Sequence, residues 1–174
     1  MKNINLYLDI SSSNTGICIE DTDKNTLTLT NINLQSLSKP PQMPLVDYHK
    51  IKLGIIKEEF DRLLKPYNIH SIYMEGIFIQ PKFLKSSEIL IKLHGFLIGY
   101  FMDKKVYYIS PSEIKKAVTG KGNANKKDVI RCLEGFYGLS ISDDNISDAL
   151  AICVAHNGWK KYKDITILQK GGLS

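Results

Sequence analysis

Three acidic residues lie where a predicted strand ends or a predicted helix begins, and their neighbours are apolar. Asp9 lies at the end of the apolar run 5–10, and Glu75 directly follows the apolar run 71–74. Asp148 lies one turn into a predicted apolar helix. For each acid alone, a turn residue or a helix cap is the simpler interpretation, so any chemistry must come from the three together.

Taken together, these acids have the chemistry of a metal site. If the first and fourth strands are neighbours, Asp9 and Glu75 emerge side by side, and a packed helix can bring Asp148 to them. Carboxylates forced together repel one another unless they share protons or cations, and oxygen-rich clusters suit Mg²⁺ or Mn²⁺. Two such ions about 4 Å apart can activate a water and stabilise the leaving oxygen of a phosphodiester. The three acids therefore predict metal-dependent phosphodiester hydrolysis.

The elements that position these acids are predicted from the spacing of apolar residues. The predicted strands are 5–10, 15–19, 26–30, 71–74 and 106–109, and the predicted helices are 45–64, 83–102, a short one through 115–116, one from 126, and one from 144 or 145 to about 156. This order is that of an α/β fold of the RNase H-like type, and several other α/β folds also accommodate it. The predicted mixed five-stranded sheet has three antiparallel strands followed by two parallel ones, with helices on both faces. We expect one nuclease domain over 1–158 and a basic C-terminal tail over 159–174.

Composition excludes some classes of protein and favours none strongly. The 174 residues carry a formal net charge of +5, which suits a polyphosphate partner but is common among other proteins. The three cysteines are far apart and have apolar neighbours, so we expect core side chains in a reducing compartment. The sequence shows no signal peptide and no apolar stretch long enough to span a bilayer. These observations predict a soluble cytoplasmic protein.

A basic connector precedes the last predicted helix. Residues 103–131 contain eight Lys or Arg against three acids. Within them, the segment 120–126 offers backbone amides beside lysine ammonium groups, which can grip a phosphate backbone, although an ordinary solvated loop is an equally good interpretation. The candidate DNA-binding lysines are Lys115, Lys116, Lys121, Lys126 and Lys127.

Three motifs around the acids resemble those of the RuvC family of Holliday-junction resolvases. They are Leu8-Asp9-Ile10-Ser11-Ser12-Ser13-Asn14-Thr15-Gly16, Glu75-Gly76-Ile77-Phe78, and Ser147-Asp148-Ala149-Leu150-Ala151-Ile152 with His156 after it, and Leu93-His94-Gly95 between them is also similar to the family pattern. Each motif alone is weak, but their order and spacing together are specific. The resemblance implies an RNase H-like nuclease that cuts four-way DNA junctions with two Mg²⁺ or Mn²⁺ ions.

The sequence departs from the RuvC pattern at one place in the last motif. That family usually has a fourth acid, or a His, three residues before the last Asp, and here the residue is Asn145, with Asp144 one position earlier. Both positions share a helix face with Asp148. Either residue can therefore complete the metal shell while the other caps the helix, and the sequence does not decide between them.

The resemblance implies further roles outside the acids. Lys115 and Lys126 fall where RuvC proteins place active-site and DNA-contacting lysines, and a lysine near the scissile phosphate can stabilise developing charge. Phe78 falls where those proteins stack an aromatic ring on bases near the branch point, although a core position is the ordinary interpretation. The helix over 83–102 corresponds to a region of the family's two-fold dimer interface, so we expect a homodimer.

Three other functions fit part of the sequence. A nuclease of the same fold can act on other branched DNA, on flaps or on RNA. The segment 9–13 is also similar to the phosphate-binding hairpin of actin-like ATPases, but 174 residues do not supply their second domain. A nucleic-acid-binding module that has lost its chemistry would not be expected to keep Asp9, Glu75 and Asp148 together.

Overall fold

A computed structural model of the chain describes residues 1–77 and 84–168. In chain order, its elements are β1 (Lys2–Asp9), β2 (Asn14–Asp21), β3 (Thr26–Asn33), α1 (Leu45–Leu64), β4 (Tyr67–Glu75), α2 (Leu84–Tyr100), β5 (Lys105–Ile109), α3 (Pro111–Thr119), α4 (Lys126–Tyr137), α5 (Asp144–Asn157) and β6 (Asp164–Ile167). The helices and strands predicted from periodicity are all present, with their ends shifted by a few residues. In the part of the chain that the structure describes, no helix is long and apolar enough to cross a membrane.

The strands form one mixed sheet in the order β5-β4-β1-β2-β3-β6. Strands β1, β2 and β3 are antiparallel neighbours, while β4 pairs in parallel with β1 and β5 pairs in parallel with β4. This confirms the predicted α/β fold, with one correction: the sheet has six strands rather than five. The extra strand β6 pairs in parallel with β3 and lies in the segment predicted as a C-terminal tail. Its short Ile-Thr-Ile alternation gave too little signal against the surrounding charges, and the domain boundary at 158 stays a prediction.

Each face of the sheet carries its own hydrophobic core. Alternation along β1 sends Ile4, Leu6 and Leu8 to the face covered by α1 and α2. Tyr7 and the β2 residue Cys18 face the other side, under α3, α4 and α5. Because Asp9 is two residues beyond Tyr7, its side chain lies on the α5 side of the sheet.

Helix α5 crosses the sheet at a point where only a glycine fits. A Cβ atom added to Gly16 would lie 1.9 Å from the backbone oxygen of Asn145 and 2.4 Å from its carbonyl carbon. Gly16 is also the β2 residue that pairs with Asp9 in the sheet. The first turn of α5 therefore rests directly on the strand beside Asp9.

We expect Gly16→Ala to lower the free energy of unfolding by about 2 kcal/mol or more, because the new methyl group meets backbone that cannot move without shifting α5. Urea unfolding followed by circular dichroism measures this loss. The matched control is Gly54→Ala in the exposed middle of α1, where a Cβ meets no atom within 4 Å, and we expect it to be neutral or stabilising by up to about 1 kcal/mol. Equal stability of the two variants would contradict the close approach.

Candidate active site

Asp9 and Glu75 end two neighbouring parallel strands. The register of β1 on β4 pairs Leu8 with Met74, so the two acids that follow emerge side by side at the same edge of the sheet. Both line a pocket of about 220 Å³. His94 of α2 lines the back of this pocket and is buried, with its Nδ1 3.4 Å from the Tyr108 hydroxyl. The predicted juxtaposition of the two acids is thus present.

Asp148 faces the same cleft from helix α5. It lines an adjoining pocket of about 210 Å³ with Glu75, Lys115 of α3 and Lys126 of α4. Pro111 and Glu75 line both pockets, which makes the two one continuous cleft across the end of the sheet. Residues from six separate elements therefore meet here.

The three acids are partly buried close to one another, and this changes their titration. Burial raises the pKa of Asp9 to about 7, and the negative charges of Asp148 and Glu75 contribute to the rise. Burial followed by the charge of Asp148 raises the pKa of Glu75 above its ordinary value, and burial also raises that of Asp148. Each carboxylate is therefore costly to ionise unless a cation lies near it.

Lysine side chains supply part of that positive charge. The Lys126 ammonium lies 2.8 Å from Asp148 Oδ2 and 3.4 Å from Asp144 Oδ2. Burial lowers the pKa of Lys126, but the hydrogen bond and charge of Asp148 outweigh it and leave the pKa above its ordinary value. The charge of Lys115 opposes the rise in the pKa of Glu75. Lys126 thus lies within the acid cleft rather than on a solvated loop.

The donor chemistry of the cleft fits a divalent cation, although its side chains do not enclose one. Among residues 1–77 and 84–168, no three His, Cys, Asp or Glu side chains converge on a single point. Mg²⁺ does not require such a cage, since it keeps several waters and binds through one or two carboxylates together with substrate phosphates. Asp9, Glu75 and Asp148 offer carboxylate oxygens of that kind.

The structure separates the two candidates for a fourth ligand. The side chain of Asp144 is 61% exposed and pairs with Lys126, whereas Asn145 lies against β2 beside Asp9. Neither residue caps α5, which corrects the expectation that one of them does. The N-cap is Asp143, whose carboxylate accepts hydrogen bonds from the backbone N–H groups of Asn145 and Ile146.

Asp143 and two asparagines are the residues of this region that the sequence analysis missed. Asp143 accepts hydrogen bonds from Asn14 and Asn31, which are both buried at the ends of β2 and β3. The signal for Asp143 was ambiguous because 143–145 are three successive residues of cap-forming type. Asn31 had a clearer signal, since it is a polar residue in a run of otherwise strand-forming ones.

The remaining predicted contacts lie around the rim or outside the described residues. Lys116, Lys121 and Lys127 are exposed on α3, on the α3–α4 connector and on α4. Asn125 caps α4 by accepting from the Asp128 backbone N–H, which fixes the start of the helix that carries Lys126. Phe78 falls within 78–83, outside the described residues.

Comparison with known proteins gives a family whose match spans the cleft. The sequence model of the family described as crossover junction endodeoxyribonuclease RuvC matches residues 9–156. One curated relative of that name, from Sulfurovum sp., is 30% identical over 164 residues, which cover 87% of this chain and 92% of the relative. The family match begins at Asp9 and includes Glu75 and Asp148.

Solved structures show the same fold. The RuvC structure of Thermus thermophilus superposes with a TM-score of 0.63 at 22% identity, covering 88% of this chain and 92% of that one. The T. thermophilus RuvC in complex with a Holliday junction substrate gives a TM-score of 0.62 at 20% identity, covering 88% and 91%. With the family match over 9–156, these comparisons show that the chain belongs to the RuvC family of crossover junction endodeoxyribonucleases.

Proposed function

We propose that this protein is a structure-selective endonuclease that cuts phosphodiesters in four-way DNA junctions. The observation that carries the proposal is one cleft holding Asp9, Glu75 and Asp148 together with Lys115 and Lys126. A relative of the same fold was solved with a Holliday junction substrate, which supports the choice of branched DNA. Cytoplasmic residence is part of the same proposal.

Nucleases of the RuvC family depend on a metal ion. For this chain we propose Mg²⁺ or Mn²⁺, two ions per site, held by Asp9, Glu75 and Asp148, whose partly buried negative charges favour a bound cation. Such ions, when bound, supply an activated water and neutralise charge on the leaving oxygen. The three acids would hold the cations at the end of the sheet, and Lys115 and Lys126 line the cleft beside Glu75 and Asp148.

The lysines divide into two groups by their position. Lys115 and Lys126 line the cleft, where their ammonium groups can stabilise charge that develops on the phosphate oxygens. Lys116, Lys121 and Lys127 are exposed around it and are placed to contact flanking backbone phosphates. The first group therefore serves the reaction, and the second contributes salt-dependent affinity. We keep Phe78 as a base-stacking residue and Asp144 as a lesser candidate ligand.

We also propose a homodimer formed through helix α2. This helix and the turn after it expose Ile91, Ile98 and Met102, with exposed fractions of 43%, 50% and 82%. Gly95 and Gly99 lie on the same face, and a Cβ at either would meet no atom within 4 Å. Apolar residues flanking open glycines suit the close approach of a second helix. A symmetric pair would place two clefts for paired cuts.

The direct test of the function is cleavage of a matched panel of a four-way junction, a flap, a nicked duplex and an RNA–DNA hybrid with Mg²⁺. We expect the junction to be cut fastest. Asp9→Asn should abolish cleavage, because a cation ligand is lost, while it keeps junction binding within about threefold. Failure of the wild-type protein to cut the junction, or an Asp9→Asn variant that cuts as fast as wild type, would contradict the proposal.

Cleavage at subsaturating Mg²⁺ should rise as the pH increases through about 7, since Asp9 must be ionised to hold a cation and its pKa is about 7. Without metal, stability should change in the opposite direction. The Asp9 carboxyl ionises near pH 4 when unfolded but only near pH 7 when folded, so the folded state loses stability as the pH rises between these values.

Urea unfolding of Asp9→Asn against wild type in metal-free buffer measures this linkage. Above pH 7, we expect the free energy of unfolding of the variant to exceed that of wild type by about 1–3 kcal/mol. At pH 4 we expect no difference between the two. Asp103→Asn is the control, because its exposed carboxylate has a pKa lowered by the hydrogen bond from Lys104 and should give a small effect of the opposite sign. A stability difference for Asp9→Asn that does not vary with pH would contradict the assignment.

The proposed dimer is tested by measuring the mass of the protein in solution with light scattering. Ile98→Glu should convert the dimer to a monomer, because the new charge would be buried against the second helix without a partner. Phe136→Glu on α4 is the matched control, since Phe136 is 41% exposed but lies away from α2, and it should stay dimeric. A dimer that survives Ile98→Glu, or a monomeric wild-type protein, would exclude this interface.

A further inference from the structure

The N-terminal turn of α5 is tied to the sheet through one carboxylate. Asp143 Oδ2 accepts hydrogen bonds of 2.8 Å from Nδ2 of Asn14 and 2.8 Å from Nδ2 of Asn31. Asp143 Oδ1 accepts from the backbone N–H groups of Asn145 and Ile146, at 2.9 and 3.2 Å. Both oxygens are thus fully used in joining β2, β3 and α5.

This anchor carboxylate is stable as an anion. Burial raises the pKa of Asp143, but the hydrogen bonds from Asn14 and from the Ile146 backbone outweigh it and leave the pKa below its ordinary value. Asp143 is therefore fully occupied by donors from this chain. It serves to fix α5 rather than to bind a ligand.

Asn145 connects this anchored turn of α5 to Asp9. In the amide orientation that gives both of its ends a partner, the side-chain nitrogen lies 3.3 Å from Asp9 Oδ2 and 3.1 Å from the Asn14 backbone carbonyl, and it can donate to both. Its amide oxygen accepts from Asn14 Nδ2 at 2.9 Å. The side chain therefore presents a donor to Asp9 and turns its oxygen toward Asn14.

The backbone of Asn145 has little freedom to change this arrangement. Its carbonyl group lies where a Cβ on Gly16 would be, so the residue is pressed against the strand beside Asp9. Asp148 follows three residues later on the same face of the helix. This anchored first turn of α5 thus determines the position of Asp148 relative to Asp9.

We propose that Asn145 is a positioning residue that holds Asp9 through its amide, and that Asp143, Asn14 and Asn31 form the anchor behind it. The inference deepens the proposed nuclease function and rests on it. Asn145 is then a hydrogen-bond donor in the place where the RuvC family pattern has an acid or a His. The side-chain ligand from α5 is Asp148.

A double-variant cycle in metal-free buffer tests the contact without any substrate. Asn145→Asp should lower Tm by about 4 °C, because a carboxylate replaces the donor and faces Asp9, Asp143 and Asp148. Adding Asp9→Asn should remove this loss, since the amide introduced at position 9 can then donate to the new carboxylate. The control Asn123→Asp lies exposed on the α3–α4 connector and should leave Tm unchanged in both backgrounds. An Asn145→Asp loss that is equal in both backgrounds, or absent, would overturn the contact.

A Mg²⁺ titration of junction cleavage separates positioning from metal ligation. We expect Asn145→Ala to lower kcat about tenfold while the Mg²⁺ concentration for half-maximal rate stays within threefold of wild type, because no ligand is removed. A larger rise in that concentration, or an unchanged kcat, would overturn the positioning role. Should the protein cut no junction at all, the proposed function fails, whereas the Tm cycle still decides whether Asn145 holds Asp9.

Discussion

The close contact between α5 and β2 at Gly16 is the constraint on which the cleft depends. Three of the site's side chains belong to segments that this contact brings together: Asp9 on the neighbouring strand, and Asn145 and Asp148 on the helix. A side chain at position 16 would lift the helix by about an ångström or more and separate carboxylates that act together. The Thr-Gly pair after Asp9 therefore has a steric reason, because it lets a helix backbone approach a strand without an intervening side chain.

Holding three carboxylates in this cleft costs stability, and the surroundings offset only part of it. Lys126 and Lys115 supply positive charge from α4 and α3, yet the pKa of Asp9 is still raised to about 7. An excess of partly buried negative charge attracts a divalent cation, so the arrangement that destabilises the isolated fold is also one that suits a metal ion. A fully neutralised cluster would be more stable and a poorer cation site.

The residues of this site that could be predicted from the sequence are those whose positions depend on local strand and helix patterns. Asp9 and Glu75 were predictable because parallel strands end at one edge of a sheet, and Asp148 because its helix pattern placed it one turn from the start. The cap at Asp143 was not, since 143–145 offer three side chains with similar capping ability and only the positions of Asn14 and Asn31 select one. Strand β6 was missed for a related reason: four residues carry little periodic signal, and pairing with β3 supplies the stability.

The far end of α5 is also tied to the sheet by side-chain contacts. His156 packs on Tyr73 with ring centroids 3.8 Å apart, and its Nδ1 lies 3.0 Å from the Tyr7 hydroxyl. That hydroxyl donates to the buried Glu20 at 2.7 Å, and Lys160 pairs with the same carboxylate at 2.8 Å. Burial raises the pKa of Glu20, but the hydrogen bonds from Lys160 and Tyr7 outweigh it and bring the pKa down to about 2. Because both ends of α5 are tied to the sheet, Asp148 is held against the strands that carry Asp9 and Glu75. The exposed lysines on α3, α4 and their connector surround this helix and are placed to contact a substrate.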